Sequence, residues 1–193
     1  MIKKLLVKIE GVKPLLFHAF SPDVLDAKKP KQGSAGNNPE EWKKTVHMDA
    51  ERRLYLPESY LYGPIKEAGR YSKIGRGNII KYVSATLEVT PTKIYLENLK
   101  VPIESELTRD DTQEVYLDVR SAVNPMTKGR NLRYRIACKP GWKCEFKASW
   151  DDSVLSVEQM KQVIQDSGIM CGTGSGRAIG FGRYKVLETK LLD

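Results

Sequence analysis

A glycine-rich segment around residue 180 carries the residue types best suited to binding an anion. Residues 172–185 read GTGSGRAIGFGRYK, with five glycines, two arginines and one lysine. Because glycine has no Cβ and tolerates positive φ, successive backbone N–H groups in such a segment can surround one anionic ligand. The segment predicts a cradle for a phosphate backbone, with a flexible turn of a β-rich protein as the alternative. The binding candidates are Gly172, Gly174, Gly176, Arg177, Gly180, Gly182 and Arg183.

The elements that flank these glycines exclude two common nucleotide-binding motifs. A dinucleotide-binding fingerprint requires a strand before the glycines and a helix after them. Here residues 156–167 predict a helix before the glycines, and residues 181–191 predict a strand after them. A P-loop requires Gly-x-x-x-x-Gly-Lys-Ser/Thr, and the sequence contains no such run. The segment is therefore neither a Rossmann turn nor a P-loop.

The positive charge of the chain is concentrated in one predicted hairpin. The stretch 120–147 holds eight basic residues and one acidic residue, so it carries +7 of the net charge of +8. Residues 114–123 and 131–137 predict two arms joined by a tip at 124–129. Arginines on a strand face can lie along a phosphate backbone, and exposed aromatic rings can stack on bases for about 1–3 kcal/mol each. The scarcity of acids disfavours the alternative, a merely solvated charged hairpin. The candidates are Arg120, Arg130, Arg133 and Arg135.

Three residues of the N-terminal region are candidates for catalysis. His18 and His47 are the two histidines of the chain, and either could act as a general acid or base in metal-independent RNA cleavage. Asp26 lies between them, and an aspartate beside bound RNA can support metal-assisted cleavage. Ordinary polar loop residues are the alternative for all three. The three cysteines have no Cys-x-x-Cys spacing, which favours neither a disulfide framework nor a zinc site, so we expect no metal and no cofactor.

Composition and charge narrow the class of protein. The chain is 40% hydrophobic and 29% charged, as in a folded globular protein. No apolar run approaches the roughly 20 residues that a membrane-spanning helix needs. Residues 2–10 alternate as a strand rather than forming a signal peptide. We therefore expect a cytoplasmic protein without a membrane partner, whose net charge permits an anionic partner.

The order of the elements predicts an α+β fold. Strands are expected at 2–10, 79–90, 94–102, 143–150 and 181–191, and helices at 59–71, with Ser59 as N-cap, and at 156–167, with Ser156 as N-cap. Read in order, the main elements follow the βαββαβ pattern of a ferredoxin-like (RRM-like) core. Residues 1–193 would form one domain. A long loop at 21–51 would join the first strand to the first helix, and the hairpin at 100–140 would be an insertion.

Two segments together resemble a known family. Residues 55–66, YLPESYLYGPIK, resemble the Ile-Pro-Gly-Ser-Ser-Leu-Lys-Gly helix entry of the RAMP superfamily of CRISPR-associated RNA-binding proteins. Residues 172–186 resemble the glycine-rich loop and last strand of that superfamily. The resemblance implies RNA contacts for Ser59 and Lys66. Glu58 stands where the family usually has glycine, and Tyr62 stands where it usually has lysine.

The layout is similar to the backbone subunits that polymerise along guide RNA, which have an RRM-like palm and a β-hairpin thumb. The resemblance thus implies a non-catalytic protein that binds single-stranded RNA, or single-stranded DNA, as a guide-RNA backbone subunit or a mobile-element-borne relative. Its partners would be further copies in a filament, or other CRISPR-type subunits. Two alternatives stay open: an endoribonuclease of the same superfamily, and a protein–protein module that mimics such a subunit.

Overall fold

A computed structural model describes residues 1–19, 38–74, 77–123 and 128–192. The chain is α+β, and its strands pair antiparallel. The strands are β1 Ile2–Gly11, β2 Leu15–Leu16, β3 Arg53–Pro57, β4 Lys73–Ile74, β5 Gly77–Asn78, β6 Glu88–Thr90, β7 Lys93–Lys100, β8 Val115–Val123, β9 Arg130–Cys138, β10 Lys143–Asp151 and β11 Tyr184–Leu192. The helices are α1 Glu41–Thr45, α2 Ser59–Ala68, α3 Ile80–Thr86 and α4 Val157–Asp166.

The main sheet has the strand order β11-β1-β10-β7-β3, and β6 also pairs with β10. Its strands alternate buried and accessible residues: Leu5, Val7 and Ile9 of β1 are fully buried, and the side chains between them are not. Helices α2 and α4 contact each other and pack into the same core as these residues. The main sheet and its two covering helices therefore form the body that carries the rest of the chain.

A second sheet has the order β2-β9-β8. Strands β8 and β9 pair without a break from Val115↔Cys138 to Val123↔Arg130, which confirms the two predicted arms of the hairpin. Residues 124–127 of the predicted tip lie outside the described residues. The short strand β2 adds to β9 through the pairs Leu15↔Cys138 and Leu16↔Ala137. The hairpin is thus joined to the segment that follows β1.

The predicted strand at 79–90 is wrong for most of its length. Residues Ile80–Thr86 form the helix α3, and only Glu88–Thr90 form a strand. The buried side chains Ile79, Val83 and Leu87 recur every four residues, which is the spacing of one helix face. The β-branched composition suggested a strand, but burial of this face against the core decides the conformation.

Helix starts were predicted with mixed success. Ser156 caps α4 in a capping box, in which its side chain accepts from Gln159 N and the Gln159 side chain accepts from Ser156 N. Ser59, in contrast, is the first residue inside α2, and Glu58 occupies the N-cap position without a side-chain cap. Within the predicted loop at 21–51, Glu41–Thr45 form α1, and residues up to 37 lie outside the described part.

Two further findings concern the cysteines and the possibility of a membrane-spanning helix. Cys138, Cys144 and Cys171 are free and buried. Among the described residues, no helix is both long and apolar enough to cross a lipid bilayer.

Candidate nucleic-acid interface

The glycine-rich segment follows α4 through a π-helical turn at Ser167–Cys171 and leads into β11. All five of its glycines have positive φ. Two of them are also required by close packing within the protein. A Cβ on Gly182 would lie 1.8 Å from Thr173 O, and a Cβ on Gly174 would lie 2.6 Å from Leu16 O. At these two positions, glycine permits the segment to fold onto itself and onto β2.

Main-chain hydrogen bonds hold the segment in place and use several of its N–H groups. Ser175 N donates to Leu16 O at 2.8 Å, and Gly182 N donates to Pro14 O at 2.8 Å. Within the described part of the chain, the N–H groups of Gly176, Arg177 and Ala178 have no acceptor. Three consecutive free donors of this kind can bind one anion. Within the cradle predicted over 172–185, the N–H groups available to an anion are therefore those of residues 176–178.

The glycine-rich segment is also held by contacts with helix α2. Thr173 Oγ1 donates to Tyr60 O at 2.5 Å. In a regular helix this carbonyl would accept from the N–H of the residue four positions later, but that residue is Pro64, which has no N–H. The proline inside α2 therefore leaves an acceptor free, and Thr173 uses it. Arg177 Nη1 also pairs with Glu67 Oε2 of α2 at 3.3 Å.

A side chain of the basic hairpin contacts the glycine-rich segment across β2. The Arg120 guanidinium carbon lies 4.7 Å from the centre of the Phe181 ring. Phe181 also packs against a small apolar cluster of Leu16, Tyr116 and Ala137. Strand β2 lies between the two, because Leu16 pairs with Ala137 on one side and with Ser175 on the other. Hairpin, β2 and glycine-rich segment thus form one continuous surface.

Within the described ranges, two of the four hairpin arginines have acidic partners. Arg120 Nε lies 2.7 Å from Asp118 Oδ2, and Arg133 Nη1 lies 2.6 Å from Glu41 Oε1. The second oxygen of Glu41 accepts from the main-chain N–H of Tyr134 at 3.0 Å. The stretch 120–147 contains few acids, but the folded hairpin is nevertheless paired with acidic side chains. Asp118 lies just before the stretch, and Glu41 comes from α1.

The remaining arginines differ in their surroundings. Arg130 is exposed at the distal end of the hairpin. Arg135 is partly buried, and burial lowers the pKa of its guanidinium. Arg135 Nε and Arg183 Nη1 are buried atoms without a hydrogen-bond partner in the described part of the chain. Such N–H groups can donate a hydrogen bond to an anionic ligand without first breaking an ion pair.

Ser59 and Lys66 lie on α2, the helix that binds the glycine-rich segment. Ser59 is exposed in the first turn, and Lys66 is partly buried in the last turn. The contacts of Thr173 and Arg177 with this helix place the two predicted RNA contacts on the element beside the cradle.

Two of the three catalytic candidates, His18 and His47, lie near the first residues of α2. The His47 ring centre is 5.1 Å from that of Tyr60 and 5.6 Å from that of Tyr55, and burial lowers the pKa of His47. His18 is largely accessible; partial burial first, and the charge of Arg135 second, lower its pKa. His47 Nε2 is buried without a hydrogen-bond partner in the described chain. Asp26 lies outside the described residues.

Several residues of this surface were not predicted from the sequence: Pro64, Thr173, Glu41, Asp118 and Phe181. The proline was visible as a break in the helical pattern, but its effect depends on a threonine more than a hundred positions away. Across the described ranges, no three His, Cys, Asp or Glu side chains converge into a group that could hold a metal ion.

Comparisons with known proteins show a likeness of structure but none of sequence. No family model matches the sequence, and no curated protein matches it. The fold is similar to that of a chain in the cryo-EM structure of the Type III-B Cmr-beta bound to cognate target RNA, with a TM-score of 0.58 and 11% sequence identity. The match covers 100% of this chain and 61% of that chain, so the present chain spans about three fifths of the other's length. At this identity the likeness is one of fold.

Proposed function

We propose that this chain is a RAMP-like protein that binds single-stranded RNA, a non-catalytic subunit of the guide-RNA backbone type or a mobile-element-borne relative. Its core would be ferredoxin-like, since β11, β1, β10 and β6 are neighbours in the order that a βαββαβ chain gives. The similarity of fold to a chain from an RNA-bound CRISPR complex supports this proposal.

The observation that carries the proposal is the contact between Arg120 and Phe181. It joins the predicted hairpin to the predicted cradle, so one RNA strand could contact both. In the proposed path, phosphates lie against the free N–H groups of residues 176–178, and the hairpin borders the strand from the side. Arg130, Arg135 and Arg183 would supply charge, because none of them forms a salt bridge within the described chain.

The proposal is tested by fluorescence anisotropy with a short labelled single-stranded RNA. We expect binding at low salt, and a fall in affinity of about tenfold or more between about 50 and 200 mM salt, because bound cations release counterions from phosphates. The matched DNA strand shows whether the ribose 2′-hydroxyl contributes. Absence of binding to any single strand at low salt would overturn the proposal. The ratio of absorbance at 260 and 280 nm of purified protein is the first check for co-purified nucleic acid.

A ribonuclease is the second candidate, since a specific arrangement favours it. His47 and Tyr60 are in ring contact, and a backbone hydrogen bond from His18 reaches the hydroxyl of Tyr60. The His47 imidazole and the Tyr60 phenol are groups of the kind that general acid–base cleavage of RNA uses. Incubation of labelled RNA with wild type and with His18→Ala, His47→Ala and Asp26→Ala, with and without magnesium, separates the candidates. Intact RNA throughout supports the binding subunit.

The proposed partners are further copies along RNA, or other CRISPR-type subunits. Sedimentation of the protein with RNAs of increasing length tests the first, because a filament gains protein in proportion to RNA length. Co-purification with a defined protein and without nucleic acid would instead support the mimicry alternative. The cytoplasm is the compartment in which we propose these interactions.

A further inference from the structure

We propose that the carboxylate of Glu41 occupies a second phosphate site, on the hairpin, and that RNA reaches this site by displacing it. The inference rests on the proposed function and deepens it, because it adds a regulated contact to the RNA path. The site consists of the Arg133 guanidinium and the main-chain N–H of Tyr134, which lie outside the cradle at residues 176–178. Helix α1 thus supplies an internal competitor for the ligand.

The two oxygens of Glu41 use the donors that a phosphate group would use. Its Oε1 lies 2.6 Å from Arg133 Nη1, and its Oε2 accepts from Tyr134 N at 3.0 Å. Guanidinium groups and main-chain N–H groups are both common donors to phosphate oxygens. The carboxylate therefore takes the place that a phosphate of RNA would take on this edge of the hairpin.

The N–H of Tyr134 is available because the strand beside β9 on that side is short. Phe17 N donates to Ile136 O at 3.0 Å, so the backbone groups of Ile136 point away from β8. Backbone groups two residues apart in a strand point to the same side, so the N–H of Tyr134 also points away from β8. Strand β2 ends at Leu16, which pairs with residue 137 and not with 134. The N–H thus needs an acceptor from elsewhere, and Glu41 provides it.

A second arginine favours an anion at this position whether or not Glu41 is there. Arg135 lies two residues from Arg133, on the same face of β9. Its Nε is buried and has no hydrogen-bond partner within the described ranges. Burial first lowers the pKa of its guanidinium, and the nearby charge of Glu41 raises it. Departure of Glu41 would leave both guanidinium groups without this charge, so exchange for a phosphate is favoured over simple opening.

The second site shares a surface with the cradle. Arg133 is the cross-strand partner of Arg120, and directly opposed residues project from the same face of a sheet. The Arg120 guanidinium carbon lies 4.7 Å from the centre of the Phe181 ring, in the glycine-rich segment. An RNA strand that follows the proposed path past Phe181 therefore meets Arg133 on the same face of the hairpin.

Displacement requires rotation of one side chain rather than loss of α1. Trp42 is 5% exposed and anchors the helix in the core. The side chain of Arg133, in contrast, is 40% exposed, so a ligand can approach it from solvent. A strand already held at the cradle competes with Glu41 better than a free anion does, because its second contact is intramolecular. The arrangement thus favours a continuous polyanion over free phosphate.

The first test is Glu41→Gln in the anisotropy assay. Glutamine keeps an oxygen acceptor for the hairpin and removes the negative charge, so we expect RNA affinity to rise about three- to tenfold at low salt. Glu40→Gln is the matched control on the same helix. The Glu40 side chain is 66% exposed and pairs with Lys43, not with the hairpin. This control should change the affinity by less than about twofold. An equal rise in the two variants, or no rise in Glu41→Gln, would overturn the inference.

A double-mutant comparison separates the specific contact from a general effect of charge. In wild type, the gain of a phosphate contact at Arg133 is offset by the loss of its contact with Glu41. Arg133→Ala should therefore weaken RNA binding by less than about twofold in wild type, and by about tenfold in Glu41→Gln. Equal losses in both backgrounds would overturn the inference. If Glu41→Gln does not fold, Arg133→Ala decides alone, because a tenfold loss in the otherwise wild-type chain would show that Glu41 does not compete.

Inorganic phosphate distinguishes failure of this inference from failure of the proposed function. If no variant binds RNA, the proposed function fails, and the site is then measured by thermal unfolding in phosphate and in chloride of equal ionic strength. Phosphate should raise the unfolding midpoint of Glu41→Gln more than that of the double variant with Arg133→Ala, because only the first retains the site. An equal response of the two would overturn the inference.

Discussion

The Thr173 hydroxyl donates its hydrogen bond to the one carbonyl of α2, that of Tyr60, which Pro64 leaves without a main-chain donor. Replacing Thr173 by valine keeps the shape of the side chain and leaves the Tyr60 oxygen without this donor. We expect Thr173→Val to lower the free energy of unfolding by about 1–3 kcal/mol and to weaken RNA binding. Urea denaturation and anisotropy measure the two effects. Thr173→Ser, which retains the hydroxyl, should behave like wild type; equal losses in both variants would contradict the role of the hydrogen bond.

If the proposed RNA path is correct, Glu67 competes with RNA for the side chain of Arg177. The two groups form an ion pair of 3.3 Å, and each side chain is about two fifths exposed. Such accessible pairs contribute little to stability, so Glu67→Gln should leave the unfolding midpoint nearly unchanged. The same change frees Arg177 for phosphate, and we expect RNA affinity to rise about two- to fivefold at low salt. Glu158→Gln, an exposed acid on α4, is the charge-matched control and should change affinity less. Unaltered affinity in Glu67→Gln would place Arg177 outside the RNA path.

Gly182 cannot accept a side chain. It has a φ of 66°, and its Cβ would lie 1.8 Å from Thr173 O. Gly182→Ala should therefore destabilise the protein by about 2 kcal/mol or more, through strain and displacement of the cradle. Gly63 in α2 has no atom within 4 Å of its Cβ position, so Gly63→Ala should stabilise by about 0.5–1 kcal/mol. Thermal unfolding of the two variants checks the contrast, and a mild effect of Gly182→Ala would show that the segment can relax.

Stability should fall as the pH decreases below neutrality. Burial lowers the pKa of His47, so the unfolded chain binds the proton more readily than the folded one. The free energy of unfolding then falls as the pH drops below about 6.5, with a slope of at most about 1.4 kcal/mol per pH unit for one proton. His47→Phe keeps a ring beside Tyr60 and should reduce this slope. Denaturation midpoints between about pH 5 and 8 measure it, and identical pH profiles for variant and wild type would contradict the prediction.

Local sequence patterns correctly predicted the structural features that depend only on residues close together in the chain. The capping box at Ser156, the two arms of the hairpin and the turn-forming glycines each need only a few adjacent residues. Helix α3 was missed because β-branched residues outweighed a four-residue spacing of buried positions. Propensity is the weaker of these two signals when one face is buried.

The charge balance of the site was not predictable in the same way. Glu41 reaches Arg133 across 92 positions, and Asp118 lies two residues before the first arginine of the basic stretch. The net charge of a sequence stretch cannot show which acidic residues from elsewhere in the chain pair with its basic residues in the folded protein. For the glycine-rich segment, only the hydrogen bonds of the folded chain show which main-chain N–H groups are already used.

Strand β2 determines the distance between the hairpin backbone and the backbone of the cradle. It pairs with β9 on one side and with Ser175 on the other, so two inter-strand spacings, about 10 Å, separate the hairpin from the cradle. Backbone pairing fixes that width independently of the side chains. Substitutions on the hairpin can thus change the affinity for a ligand. A change in the width of the ligand that fits between hairpin and cradle would instead require inserting or deleting residues around positions 12–16.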